Sequence, residues 1–206
     1  MQEISENYRF SVASSLKLRQ KAIDLHHKRY QEVGFFHNNE VDPYENDSVY
    51  FIVQAIGDDE VVGVTRLIFK ELSNLPTMAH FEIFDIEYAN LSQLKPYQYA
   101  EISAFTKMPQ HDVGMGLIKT AIQYSLQSGI SHWICCIDER VFKYLQRVLK
   151  FPFDVIGIPQ VYLGSVSIPC SFDISEGLKS LAEYRKPLHE YFMDGMELTT
   201  LKEVVK

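Results

Sequence analysis

The sequence has 206 residues, 46% hydrophobic and 23% charged, a size and mixture that bury a core without a metal or disulfide staple and exclude wholesale disorder or a collagen-like fibre. Twenty basic against 27 acidic side chains leave a net charge of −7, and no Lys/Arg run exceeds two residues, so neither nucleic-acid binding nor a polybasic membrane anchor is expected. No secretory leader is visible at the N-terminus and the longest near-continuous apolar run, Trp133 to Ile137, is too short to cross a bilayer, so a cytoplasmic protein of one domain is expected, with its core at about 7–170 and a helical extension at about 175–206.

Residues 7–12 alternate weakly and predict an edge strand. Leu16, Ile23, Leu25 and Tyr30 lie at helix-like spacing, with Ser14 or Ser15 as cap and Gly34 as terminator, which predicts a helix over 15–33. Residues 35–47 read as a loop. Val49 to Ile56 and Val61 to Phe69 are β-branched and aromatic around Gly57-Asp58-Asp59, the pattern of a hairpin. Residues 71–98 are less regular, with Pro76 and Pro96 as breakers. A strand over 100–107 and a helix over 114–126 follow, then a buried central strand at 133–137. Val141, Phe142, Leu145, Val148 and Leu149 predict an amphipathic helix over 139–149. Residues 161–168 read as a strand with a possible bulge at Gly164. Residues 175–192 read as a helix broken at Pro187, and 199–206 as a surface helix or frayed tail. This order predicts an α/β (α+β) mixed central sheet with helices on both faces.

The stretch from Lys107 to Ile118 reads KMPQHDVGMGLI. A strand running into Gly-x-Gly at a helix start leaves backbone N–H groups and a helix dipole that suit a phosphate. Gly114 and Gly116 would let a ligand approach the backbone; a tight turn with close helix packing explains the same glycines. With the hairpin before it and the buried strand and helix after it, this stretch resembles the acetyltransferase-like (GNAT) fold. That resemblance implies an acyl-CoA or phosphopantetheine thioester held at Phe105, Thr106, Lys107, His111, Val113, Gly114, Met115 and Gly116. His111 stands where that family prefers Gln or Arg.

LHHKRYQEVGFF from Leu25, VDPYEND from Val41, VVGVTRLI from Val61 and EISAF from Glu101 occur in that order. Together they resemble the acyl-homoserine lactone synthases and their relatives, the long-chain N-acyl amino acid synthases and exosortase-associated acyltransferases, over about 16–168. The resemblance implies substrate contacts from Tyr30, Phe36 and Tyr162. It implies an acidic pair, Asp42 and Glu45, organised by Arg66, and Glu101 as general base for acyl transfer to a small amine. His26 and Ala104 stand where that family commonly has arginines. This leaves open a different acceptor, a fold kept as an acyl-thioester or lipid-binding protein, or a short-chain acetyl-CoA-dependent acetyltransferase.

The remaining residues fit that chemistry. Attack on a thioester needs a neutral amine, which a nearby carboxylate provides by taking the proton. Burial in an apolar strand would raise the Glu101 pKa towards the useful range; a structural bridge to Arg66 is the competing reading. Ser103, two residues on, shares a strand face with Glu101. An acidic carrier protein would need a basic patch, and Lys143, Arg147 and Lys150 are spaced for one helix face. His26-His27 reads as a surface pair or one half-buried histidine, and no metal site is expected. Cys135, Cys136 and Cys170 read as free thiols, buried in the case of the adjacent pair. Phe151, Phe153, Tyr162 and Phe172 read as core, or as the lining of an acyl-chain tunnel.

Overall fold

Two antiparallel strands of dense β-branched and aromatic sequence, joined across residues 56–60, anchor the first half of the chain. The computed structural model describes residues 2–4, 7–35, 41–57 and 59–196, so Phe36, Asp58 and the tail at 199–206 lie outside the described residues. The chain divides into two compact units, Met1–Ile68 with Ile102–Tyr124 and Phe69–Glu101 with Ser125–Lys206.

In the first unit β1 (Gln2–Ile4), β2 (Tyr8–Val12), β3 (Ser48–Ala55), β4 (Val61–Ile68) and the later part of β5 (Tyr99–Lys107) follow one another across the sheet. The pairs from β1 to β4 are antiparallel. Because β1 pairs outside β2, residues 8–12 are not the edge that their weak alternation implied. Every residue of β4 is buried, so its pattern is continuous rather than alternating, as in a strand covered on both faces. Helix α1 (Leu16–Glu32) begins where the Ser15 side chain accepts a hydrogen bond from the Leu18 N–H, satisfying one of the helix's free donors. Its Ala22 and Leu25 pack into one cluster with Tyr50, Ile52, Val61 and Val64. Helix α4 (Gly114–Ser128) approaches β4 so closely that a Cβ at Gly63 would lie 3.0 Å from Val113.

In the second unit the start of β5 runs parallel to β6 (His132–Asp138), and β6 pairs antiparallel with β9 (Ser165–Asp173). β7 (Asp154–Val155) and β8 (Gln160–Tyr162) both pair with β9. Residues 161–168 are therefore two strands rather than one. Leu163 and Gly164 have φ of 48° and 78°, the paired left-handed residues of a two-residue hairpin turn, so Gly164 is a turn residue and not a bulge. Pro76 opens α2 (Pro76–His80) instead of breaking an element, since proline lacks only an N–H that the first helical turn leaves free. Helix α3 is Asp85–Leu91. Helix α5 ends early, at Glu139–Tyr144, and a π-helical turn, Leu145–Leu149, continues it. Val141 and Val148 face solvent while Phe142 and Leu149 are buried, so the apolar face is narrower than the pattern predicted. Helices α6 (Ile174–Tyr184) and α7 (Lys186–Met193) meet at Arg185, with Pro187 in the first turn of α7. Phe151, Phe153, Phe172 and Phe192 form a ring cluster, Phe151 and Phe192 stacked at 6.2 Å. These rings pack on one another, as the core reading expected. Among the described residues no helix is long and apolar enough to cross a membrane.

Gly116 lies under Phe10 of β2: a Cβ there would fall 2.1 Å from the ring, and Phe10 is itself buried. Gly116→Ala is expected to destabilise the protein by about 1–3 kcal/mol through overpacking. Thermal unfolding should show a lowered midpoint, partly restored by Phe10→Leu; an unchanged midpoint would count against this packing.

Candidate active site

Arg66 brings its charge into the fully buried strand β4, and the chain folds to meet it. Its NH1 donates to Asp42 Oδ2 and, at 3.2 Å, to the Tyr50 hydroxyl. Its Nε donates to Ser103 Oγ at 3.0 Å. Asp42 is 4% exposed and Arg66 5%. Burial opposes the arginine's charge, but Asp42 and Tyr50 outweigh it and push its pKa up. The Tyr50 hydroxyl is also shifted up, chiefly by burial. Asp42 in turn accepts the Tyr44 N–H at 2.9 Å, an Asx-type closure of the loop. Arg19 of α1 donates to the backbone carbonyls of Glu45 and Ser48, so residues 42–48 are held from α1 and from β4.

His26 and His27 adjoin this pair. His26 is fully buried, where a surface pair or one half-buried ring was expected, and stands T-shaped to Tyr30 at 4.2 Å. Burial and the neighbouring Arg66 push its pKa down to about 3, so the ring is neutral at ordinary pH. Its Nδ1 lies 3.8 Å from Asp42 Oδ2. His27 Nε2 meets Glu45 Oε1 at 2.7 Å. His26, His27 and Asp42 place one ligand atom each within 4.8 Å of one another, an arrangement in which a metal ion would have to share Asp42 with the Arg66 guanidinium.

The Gly-x-Gly stretch opens α4, and the chain itself uses much of it. Lys107 Nζ donates to the His111 carbonyl at 2.8 Å, and His111 Nδ1 shares a hydrogen bond with the Tyr8 hydroxyl at 2.9 Å. Val113 is buried and Thr106 nearly so, whereas Phe105 is exposed. Phe105 covers Gly114, its ring 3.4 Å from where a Cβ would stand. Gly116 faces Phe10, and Met115 is half-buried. On β5 the residue after Ser103, Ala104, has φ of 53°, a left-handed conformation that costs a non-glycine residue about 1–2 kcal/mol.

In the second unit Glu101 is 1% exposed. Its two carboxylate oxygens accept from the Thr77 N–H and the Thr77 hydroxyl, each at 2.8 Å. Burial first, then the Glu101 charge, push the Cys136 thiol up to about 12. Cys135 and Cys170 are buried, all three cysteines are free thiols, and burial shifts the pKa of both Cys135 and Cys170 up as well. Tyr162 is half-buried beside His80 and Phe81, its ring 5.4 Å from each. Of the expected basic face, Lys143 pairs with Glu139 at 2.9 Å. Arg147 lies in the π-helical turn, and Lys150 (φ 64°) closes it outside the helix. The face therefore does not continue past Tyr144; Arg147 and Lys150 instead line a cleft of about 470 Å³ with Phe151 and Tyr184.

The sequence pattern had not pointed to Thr77, Tyr50 or the burial of His26. The spacing Ala22, Leu25, His26 marks the buried face of α1, and that was the available signal for the histidine.

The family model for the N-acyl amino acid synthase FeeM matches residues 21–171, well over half of the chain. The chain belongs to this N-acyl amino acid synthase family. It is accordingly an acyltransferase. None of the curated proteins matches it in sequence. Among solved structures, FeeM, "an N-acyl amino acid synthase from uncultured soil microbes", superposes with a TM-score of 0.69 at 14% identity, covering 89% of this chain and 99% of FeeM. The AHL synthase LasI gives 0.63 at 14% identity over 87% and 95%. The CoA-dependent acyl-homoserine lactone synthase BjaI, solved with SAM and isopentyl-CoA, gives 0.55 at 17% identity over 91% and 88%. At these identities the superpositions establish the fold, a mixed α/β acyltransferase fold of the GNAT-like kind.

Two outcomes are expected from the Arg66 cluster. Asp42→Ala leaves a buried guanidinium without its carboxylate and should cost about 3–5 kcal/mol in chemical denaturation, as broken buried pairs do; a loss below about 1 kcal/mol, the size of an exposed pair, would contradict the burial. The second concerns pH. The unfolded state protonates His26 near its ordinary 6.5 and the folded state only near about 3, so between these values the unfolded chain binds more protons and stability falls as pH falls. The thermal midpoint should therefore decline from pH 7 towards pH 4, and less steeply in His26→Gln; equal slopes would show that His26 does not carry the effect.

Proposed function

We propose that the protein transfers an acyl group from a thioester, acyl-CoA or acyl carrier protein, to the amine of a small acceptor such as an amino acid. Membership of the N-acyl amino acid synthase family carries this reading. In the reaction the amine nitrogen bonds to the thioester carbon and the C–S bond breaks. Glu101 takes the proton from the nitrogen and that proton passes to the departing thiolate, so the donor leaves as a thiol and the carboxylate is restored. No covalent intermediate with the enzyme is involved. Burial of Glu101 supports the role of base, because a desolvated carboxylate loses little by accepting a proton.

Arg66 and Ser103 serve as organising groups, with Asp42 and Glu45 drawing the cationic acceptor and Tyr30 giving it an apolar wall; Tyr162, in the second unit, is a substrate contact that the resemblance implies. The start of α4, from Phe105, Thr106 and Lys107 through His111 and Val113 to Gly114, Met115 and Gly116, is the donor side. There the backbone N–H groups of the first turn suit the donor's phosphates. Where the donor rides on an acidic carrier protein, the exposed Arg147 and Lys150 beside the cleft are the cations proposed to meet it, Lys143 being paired with Glu139. We propose a cytoplasmic location, where such acyl donors would be met.

The test compares lipid extracts, by mass spectrometry, of cells making the wild-type protein and cells making Glu101→Gln. New acylated amines are expected only with wild type, and their masses name chain and acceptor together. The same products in equal amount from Glu101→Gln would remove the carboxylate from the mechanism. No turnover by purified protein offered acyl-CoA and acyl carrier protein donors with the amino acids would set the transfer itself aside.

A further inference from the structure

Within the second unit one side chain addresses both oxygens of Glu101. Thr77 is the second residue of α2, and its N–H is one of the four that a helix start leaves without an intrahelical partner. That N–H and the Thr77 hydroxyl donate to the two carboxylate oxygens at 2.8 Å each. Thr77 is fully buried and Glu101 is 1% exposed, so water competes for neither bond. Two bonds from one rigid residue fix the carboxylate plane, which one bond would leave free to turn. Pro76 fixes the backbone immediately before Thr77, and the threonine's branched Cβ limits its rotamers.

We infer that Thr77 is the positioning residue for the general base, holding the Glu101 carboxylate in the orientation that receives the amine proton. The inference rests on the proposed role of Glu101. The titratable side chains on α2 and β6 are His80, at the last residue of α2, and His132, Cys135, Cys136 and Asp138 on β6. Both thiols are held neutral at ordinary pH, Cys136 despite a hydrogen bond from the Thr77 side chain, and Thr77 addresses the carboxylate with two bonds.

The test uses Thr77→Val, which removes the hydroxyl and keeps the shape and the N–H, and Thr77→Ser, which keeps the hydroxyl. Purified proteins are given palmitoyl-CoA and a mixture of the amino acids, and product is followed by mass spectrometry from pH 5 to 9. Loss of one hydrogen bond to a charged group predicts that kcat falls about tenfold to a hundredfold in Thr77→Val with KM little changed. The acid limb of its pH profile should move to higher pH, because a donor that favoured the charged form is gone. Thr77→Ser should return both towards wild type.

Wild-type kcat and an unmoved acid limb in Thr77→Val would overturn the assignment while Glu101→Gln stays inactive. Full activity in Glu101→Gln would instead remove the base, and the positioning role with it. Infrared titration reads the same bond without turnover: the carboxyl band that Glu101→Gln deletes should appear at higher pH in Thr77→Val than in wild type. An identical titration overturns the inference. Should Thr77→Val not fold, Thr77→Ala removes the hydroxyl without adding an apolar branch and is read in the same two ways.

Discussion

A guanidinium in a strand buried on both faces is the constraint from which the first unit's arrangement follows. Arg66 could not stay charged there alone, because the desolvation of an unpaired ion exceeds the stability of a domain of this size. The loop before β3 therefore delivers Asp42 to it, and Tyr50 and Ser103 occupy further N–H directions. Once Asp42 is fixed, the Tyr44 N–H closes the loop on it and Arg19 holds the backbone at Glu45 and Ser48. Glu45 then stands where His27 reaches it, and His26 is kept neutral first by its burial and then by the fixed cation beside it. An acidic segment that reads in isolation as a solvated loop is thus drawn to the sheet by one buried charge. A buried pair of this kind contributes more to a defined loop geometry than to net stability.

Where the sequence was informative, one physical signal dominated. The β3–β4 hairpin, α1, α4 and β6 were legible because burial alone sets their patterns. Misreadings fell where backbone geometry decided. The turn at Leu163-Gly164 carries a leucine in a left-handed position, so only Gly164 was visible and it suggested a bulge. The apolar face of α5 and the π-helical turn after it is narrower than the sequence pattern, so Val141 and Val148, at the margin of that pattern, lie on the solvent side. Pro76 read as a breaker because a proline that starts a helix and one that ends it look alike without their neighbours. In the candidate site, Asp42, Glu45, Arg66 and Glu101 were legible through resemblance. Thr77, which holds Glu101, lies in a stretch with no periodic pattern, and its role depends on a strand that follows it by more than twenty residues.

The glycines of the Gly-x-Gly stretch show how a motif can have two causes. Gly116 is required by Phe10 whatever binds at the start of α4, since a Cβ would enter the ring. His111 and Lys107 are tied to Tyr8 and to the loop's own backbone. These side chains order the loop itself, so the composition of the motif is explained by packing and by its own hydrogen bonds before any ligand is invoked.

The two buried carboxylates are held by different means, and the difference bears on which can act as base in the proposed transfer. Asp42 is opposed by a guanidinium, so a proton arriving on it would leave Arg66 buried and uncompensated. That is the penalty of breaking a buried pair, incurred in every catalytic cycle. Thr77 offers Glu101 two donors, its N–H and its hydroxyl, at 2.8 Å each. A paired cation fixes both the orientation of a carboxylate and its charge. On this ground Asp42 is ill suited to take the proton, and the base we propose is the other carboxylate, Glu101.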